Sequence, residues 1–167
     1  MRTDAAMLAG MEDEAHRVAV ALQAHIPEDR LRLPQSAEGA EAHAALELHV
    51  LMRFGHWTQI LEWPAPVDPV LYCATTAQRH FARGIAFAAL GRVNEAKTEQ
   101  EYFRKSRDEP MLATRRVHNN MCSVLLEIGD EMLAGEILYR EKDFDAAFER
   151  LAAGVALEDR LAYDEPW

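Results

Sequence analysis

Basic residues, cysteines and long apolar runs are scarce in this chain of 167 residues, and each shortage excludes a class of protein. Only 18 Lys and Arg stand against 28 Asp and Glu, so the formal charge is −10, and no basic cluster is interleaved with aromatic residues. Proteins that bind nucleic acid through its phosphates need the opposite balance. No apolar run approaches the ~20 residues that span a bilayer, and the N-terminus lacks a signal-peptide pattern. We therefore expect a cytoplasmic protein with neither a nucleic-acid nor a membrane partner.

Motifs for catalysis or metal binding are missing as well. Cys73 and Cys122 are the only cysteines and lack CxxC spacing, so we expect two free, buried thiols in a reducing compartment. None of the seven histidines belongs to an HExxH motif or to an i, i+4 pair on one predicted helix, which argues against a metal site. Nucleophile-elbow, P-loop and GxGxxG motifs are absent too. The sequence therefore predicts a protein that is not an enzyme and holds no cofactor.

The small number of β-branched residues favours an all-α fold. The chain has 28 Ala and 18 Leu against 20 Val, Ile and Thr together, and Ala and Leu lose less side-chain freedom in a helix. The seven prolines fall between segments whose apolar residues recur every three or four positions, as in amphipathic helices. We predict helices over residues 3–9, 13–25, 38–54, 57–62, 71–90, 93–107, 115–128, 131–141 and 144–160.

A short phrase recurs at four places between these helices. The copies are residues 10–15, 55–60, 91–96 and 142–147, and the first and third share the form G-x-x-[D/N]-E-A. Glycine can take the left-handed conformation that ends a helix. A bulky apolar residue then packs into the turn, and a small residue such as Ala96 lets the second helix of the pair approach the first closely. Asn94 and Asp145 are expected to cap the second helices. The phrase predicts four helical hairpins.

These hairpins resemble the tetratricopeptide repeat, an antiparallel helix pair of about 34 residues. The clearest copy covers residues 78–110, where Gly84, Phe87 and Ala96 fall at the family's small and aromatic positions. Stretches such as 82–91 are similar to segments of long bacterial tetratricopeptide proteins. The resemblance implies one domain over the whole chain, a right-handed superhelical solenoid. Its approximate repeats are residues 1–26, 38–62, 71–107 and 115–160.

The spacing of the copies departs from that family. Successive phrases begin 45, 36 and 51 residues apart, so the chain carries surplus residues. We expect a loop over 26–36 and an extra helix within 108–130.

The resemblance also implies a function, namely a non-enzymatic scaffold that binds a protein or peptide in a concave groove lined by the first helix of each pair. Carried onto this sequence, the lining is Ala42, Ala45, His49, Met52 and Arg53, then Gln78, Phe81, Ile85 and Ala88, then Met132, Glu136 and Tyr139. It is largely apolar and lacks the Lys and Asn residues with which some relatives hold a carboxylate. We expect an amphipathic or extended apolar partner, and a basic one in view of the net charge.

Two alternatives to an open groove remain. The 26–36 loop or the extra helix could cover the apolar lining from within. The chain could instead be a small-molecule-binding or catalytic helical domain with a ligand near His49, Arg53 and His80. His49 and Arg53 share a helical face at i, i+4, which suits an anion. The simpler interpretation is that His49 bonds to a neighbouring repeat and that Arg53 meets a carboxylate.

The C-terminal end is predicted to carry a further contact. Leu157, Leu161 and Trp167 lie in or after the last predicted helix, where a terminal repeat needs a polar outer face. We expect this end to pack against another copy of the chain, as a homodimer.

Overall fold

The fold is all-α, as the composition predicts. A computed structural model describes residues 2–26, 28–33, 37, 40–117 and 119–162. Over these residues the helices are α1 Arg2–Leu8, α2 Glu12–Gln23, α3 Glu28–Leu31, α4 Leu46–Phe54, α5 Trp57–Glu62, α6 Cys73–Ala89, α7 Val93–Arg107, α8 Cys122–Arg140 and α9 Phe144–Glu158. Short 3₁₀ turns span Glu41–His43 and Pro110–Thr114. In the described part of the chain, no helix is both long and apolar enough to cross a membrane.

The four recurring phrases form four turns of one geometry. A residue with positive φ ends the first helix of each hairpin, and we call it the turn residue. The turn residues are Gly10 (φ 71°), Gly55 (φ 76°), Gly91 (φ 75°) and Lys142 (φ 68°). In all four, the N–H of the turn residue donates to the carbonyl three residues before it, and the next N–H donates to the carbonyl four residues before the turn residue, at 2.8 to 3.3 Å. This is the Schellman motif, so the predicted hairpin turns are confirmed.

The start of each second helix differs in one respect from the expectation. The small residues Ala15, Ala96 and Ala147 are completely buried, as close helix packing requires. Asn94 and Asp145, however, are not caps. They are the second residues of α7 and α9, because the residue directly after the turn residue takes the capping position. Of these two helices, only α9 has a side-chain cap: the Asp143 carboxylate accepts a hydrogen bond from the Ala146 N–H at 3.4 Å.

The hairpins pack on one another in chain order. Helix α2 packs on α4, α4 and α5 pack on α6, and α6 and α7 pack on α8, which pairs with α9. The apolar core divides accordingly. One cluster joins Ala6 and Ala19 to Val50, a second joins Leu48 to Ala86, and the largest lies around α6, α7 and α8. Each hairpin therefore buries its apolar face mainly against its neighbours along the chain.

The segment before α8 is not the extra helix that we expected. Pro110 opens a 3₁₀ turn, and a two-stranded antiparallel ladder follows, made of β1 Arg116–Val117 and β2 Asn120–Met121. The helices expected over 115–128 and 131–141 are instead one helix, α8. Gly129 lies inside this helix and does not break it. A β-carbon there would lie 3.3 Å from Cζ of Phe103. Glycine at this position permits close approach of α7 to α8, and the helix continues through it.

Two other expected boundaries differ at the front of the molecule. The helix expected over 38–54 begins only at Leu46, after the 3₁₀ turn, and residues 38 and 39 lie outside the described part. The expected 26–36 loop contains the short helix α3. By contrast, α5 and α7 have the predicted bounds, 57–62 and 93–107.

A buried ion pair joins distant parts of the chain. Glu41 and Arg115 are 1% and 2% exposed, and the Arg115 Nε donates to the Glu41 carboxylate. The same carboxylate accepts from the Thr75 N–H at 2.9 Å, and Arg115 Nη2 donates to the Leu71 carbonyl at 3.0 Å. The pair therefore ties the segment before α4 to the start of α6 and to the segment before α8. Nothing in the sequence pattern marks these two residues as partners.

Both cysteines are free and buried beside this ion pair, as expected. Burial is the main reason that the pKa of Cys73 and that of Cys122 are each raised to about 12, and the Glu41 carboxylate adds to the effect. These thiols are therefore protonated near neutral pH and are poor nucleophiles.

Candidate functional site

The residues expected to line a groove differ widely in exposure. Ala45, Phe81 and Ala88 are 5%, 8% and 0% exposed, so they are core residues and cannot contact a partner. The Phe81 ring lies 5.8 Å from that of Phe103, centroid to centroid. The covering comes from neighbouring hairpins: Ala45 shares a core cluster with residues of α6. For these three positions the groove expectation is wrong, because the next hairpin packs where the partner was placed.

Two of the predicted groove residues, His49 and Gln78, contact each other across two hairpins. The Gln78 amide nitrogen lies 3.0 Å from Nε2 of His49 and joins α6 to α4. This matches the simpler interpretation of His49, a bond to a neighbouring repeat. Part of the ring contacts solvent, yet the surrounding protein desolvates it and lowers the pKa of His49, while the Asp4 carboxylate acts in the opposite direction.

The remaining front and middle positions are partly exposed. Ala42, Met52 and Ile85 are half-buried, and the last two pack against core clusters. The Arg53 side chain is exposed and its guanidinium lies 6.0 Å from the Phe54 ring centroid. The carboxylate that we expected beside Arg53 is not among its described contacts.

The alternative ligand site does not assemble around His80. Its Nδ1 lies 2.7 Å from the Glu99 carboxylate, and Glu99 also accepts from Arg83 Nε at 2.7 Å. Gln78, which contacts His49, and His80 are two residues apart on α6 and therefore lie on different sides of the helix. His49, Arg53 and His80 thus have separate partners in place of a shared centre.

The Glu99 carboxylate is the best-defined charged group in this region. It is 7% exposed, and Arg83 links it to α5 through a bond from Nη1 to the Leu61 carbonyl at 2.6 Å. Burial acts to raise the pKa of Glu99, but hydrogen bonds from His80 and Arg83 outweigh it and leave the pKa below the ordinary value. The cluster holds α5, α6 and α7 together.

The last hairpin presents the most exposed apolar surface among the predicted positions. Met132 and Tyr139 on α8 are 45% and 43% exposed. The Tyr139 ring stands edge-on to Phe144 at 5.2 Å and to Phe148 at 6.4 Å, both on α9. Glu136, between Met132 and Tyr139, pairs with Arg140 at 2.6 Å.

The sequence reasoning did not identify Phe148 or Val155 as surface residues. They are 58% and 57% exposed. Residues seven apart lie on the same face of a helix. The spacing does not tell whether that face is exposed or packs in the core. Leu157 and Leu161, the residues expected to make a C-terminal contact, are half-buried, and Trp167 lies outside the described residues.

The front of the molecule contains an open cleft of about 540 Å³ between α2 and the α4–α5 hairpin. His16 and His56 line it, and each is paired with a carboxylate. His16 Nε2 lies 3.1 Å from Glu47, and His56 contacts Glu12. Within the described part of the chain, no group of three or more His, Cys, Asp or Glu side chains is placed to hold a metal ion.

Comparison with known proteins gives no match. No family profile matches the chain. No curated protein matches it, and no solved structure does. The resemblance to tetratricopeptide proteins therefore stays a prediction from the sequence.

Proposed function

We propose that this protein is a non-enzymatic interaction module, a right-handed solenoid of tetratricopeptide-like helix pairs that binds a protein or peptide partner. The observation that carries the proposal is the fourfold repetition of one turn geometry, with hairpins that pack in chain order. Repeat proteins of this kind use extended surfaces for binding, since each unit contacts chiefly its neighbours and leaves the same sides open.

The proposed contact surface consists of the predicted groove residues that are not buried. We call it the inner surface. Its members are Ala42, His49, Met52, Arg53, Gln78, Ile85, Met132, Glu136 and Tyr139. It combines apolar side chains with a few polar groups, a composition that suits a helix or an extended peptide.

Selection from a displayed peptide library tests this function. Peptides enriched on the full chain should bind an His49→Ala, Tyr139→Ser double variant at least about tenfold more weakly, because hot spots of interfaces concentrate in such residues. The change removes one hydrogen bond between hairpins, that of His49 with Gln78, and circular dichroism melting checks that the fold survives it.

Leu8→Ser is the matched control, since Leu8 is 84% exposed at the end of α1 and lies outside the inner surface. It should bind the selected peptides as the wild type does. The proposal fails if no peptide is enriched, or if the double variant binds every enriched peptide unchanged.

A further inference from the structure

The repetition of the hairpins allows the last one to be compared position by position with those before it. Ten residues before the turn residue stand Ala45, Phe81 and Met132. The first two are 5% and 8% exposed, whereas Met132 is 45% exposed. Helix α8 approaches Phe81 closely, because a β-carbon on Gly129 would lie 3.5 Å from its ring. A following helix therefore covers this position in the second and third hairpins, whereas Met132, at the same position of the last hairpin, is exposed.

The position three residues before the turn residue behaves in the same way. Ala88 is completely buried, while its equivalent Tyr139 is 43% exposed. Two independent positions on α8 therefore show the same change, and both are apolar. Along a helix they are seven residues apart and share one face.

The second helix of the last hairpin continues this surface. Phe148 and Val155 correspond, relative to the turn residue, to Lys97 and Arg104 on α7. Those two cations contact the following hairpin: Lys97 Nζ lies 2.6 Å from Glu141, and Arg104 Nε lies 2.9 Å from Asp130. The position is again an interface position, and here it carries apolar side chains that are more than half exposed.

Together these side chains form one surface, which we call the C-terminal apolar face: Met132, Tyr139, Phe148 and Val155. The 6.4 Å separation of the Tyr139 and Phe148 rings joins its two helices. Contiguous exposed apolar surface of this kind marks interaction sites on proteins. Helix α8 covers the equivalent positions of α6, Phe81 and Ala88, and the last hairpin forms ion pairs with the equivalent positions of α7, Lys97 and Arg104. The occupant that fits this face is therefore an α-helix.

The charged residues around the C-terminal apolar face indicate which kind of helix would bind there. Asp145 and Glu149 on α9 and Asp159, directly after it, are exposed and lie within four residues of Phe148 or Val155 in the chain. Two of the nearby cations are paired with other carboxylates, since Arg150 lies 3.3 Å from Glu131 and Arg140 pairs with Glu136. Residues 122–162 contain ten acidic and four basic side chains. A second copy of the chain would bring the same acidic border against itself, whereas a basic helix would neutralise it.

We propose that the C-terminal apolar face binds an amphipathic helix of another protein, with an apolar stripe flanked by Lys and Arg. The proposal rests on the interaction function proposed above and specifies the chemistry of one partner. The apolar stripe packs against Met132, Tyr139, Phe148 and Val155 in the place that a following hairpin occupies elsewhere in the molecule. The flanking cations meet the carboxylates of α9.

Two designed peptides of about 20 residues test this. Both carry the same Leu stripe at i, i+3, i+4 and i+7, and they differ only in having Lys or Glu on both sides of it. Measured by fluorescence anisotropy with the full chain, the Lys peptide should bind at least about tenfold more tightly than the Glu peptide, and added salt should reduce that ratio.

Variants locate the binding. Phe148→Ser should weaken binding of the Lys peptide at least about tenfold, since it removes the most exposed aromatic side chain of the face, and Leu8→Ser should leave binding unchanged. Glu149→Lys, on the border of the face, should narrow the ratio between the two peptides by weakening the Lys peptide and strengthening the Glu peptide. Both α9 positions are exposed, so neither change should impair folding.

The inference is overturned if the two peptides bind equally, or if Phe148→Ser has no effect. It is also overturned if the wild type sediments as a dimer that Phe148→Ser dissociates, because the occupant is then a second copy. Library peptides that depend on His49 but not on Phe148 would leave the proposed function in place and remove only this inference. Failure of both experiments would remove both.

Discussion

Lys142 is, among the residues that the structure describes, the only non-glycine with positive φ. It takes the place that Gly10, Gly55 and Gly91 have in the other three turns. A left-handed conformation brings the β-carbon too close to the backbone and costs about 1–2 kcal/mol for a residue other than glycine. The fourth turn has the same geometry as the other three, but its backbone is strained at Lys142.

Replacing Lys142 with glycine should raise the free energy of unfolding by about 1 kcal/mol, since the removed strain exceeds the extra freedom that glycine has in the unfolded chain. Urea unfolding at neutral pH measures the change. Gly91→Ala is the mirror control. A β-carbon there meets nothing within 4 Å, so any loss of stability reflects the positive φ alone. Equal stability of Lys142→Gly and wild type would contradict the strain argument.

Glu99 gives a residue-scale prediction for pH. Its pKa in the folded protein lies below the ordinary value of 4.5, so the ionised form stabilises the fold, and that contribution is present above this value and lost as pH falls below it. The gap in unfolding free energy between wild type and Glu99→Gln should be about 1–3 kcal/mol at pH 7 and should shrink between pH 4.5 and the acid limit of folding.

Denaturant titrations at several pH values follow this gap. Glu101→Gln, an exposed change on the same helix, should alter stability little at any of them. A wild-type to Glu99→Gln difference that stays constant down to the acid limit would show that the carboxylate charge does not stabilise this cluster.

At the scale of elements, two glycines in the last hairpin have opposite surroundings. A β-carbon on Gly135 would lie 2.7 Å from Cγ of Leu151 and 3.2 Å from the Ala147 carbonyl oxygen, whereas one on Gly154 meets nothing closer than 3.6 Å. Both lie inside helices, where alanine is favoured over glycine by about 1 kcal/mol. Only Gly135 therefore has a packing reason to be glycine.

Gly154→Ala should be neutral or stabilising, and Gly135→Ala should be about 1–3 kcal/mol less stable than Gly154→Ala because of the overpacked contact with α9. Thermal unfolding of the pair compares the two directly. Since both gain the same helix propensity, the difference isolates the packing effect. If the two variants melt together, the close approach of α8 and α9 at Gly135 is not what the geometry indicates.

The elements themselves were largely predictable from the sequence. The turns followed from local chemistry, because glycine and the periodic apolar residues act within a few positions, and α5 and α7 have their predicted bounds. The segment before α8 was not predictable in this way. Gly129 resembles a helix end on local grounds, and only contact with Phe103 and Phe81 shows that it is a close-packing position.

At the scale of the whole molecule, what escaped prediction is which apolar residues become covered. Phe81 and Met132 occupy the same place in their hairpins, and the sequence treats them alike. One is buried and the other exposed because a further hairpin follows the first and, in the described structure, none follows the second. The candidate site is thus defined by the order of stacking, a property that no single repeat contains.

The ion pair between Glu41 and Arg115 also acts at this scale, since it joins residues 74 apart in the chain. A row of units that touch only their neighbours can melt from either end, one unit at a time. Here Arg115, in the segment before the last hairpin, pairs with Glu41, in the segment before the second hairpin. A buried charge that loses its partner destabilises the fold. Loss of the last hairpin would leave the Glu41 charge buried without its partner, so the second, third and last hairpins should unfold together as one cooperative unit.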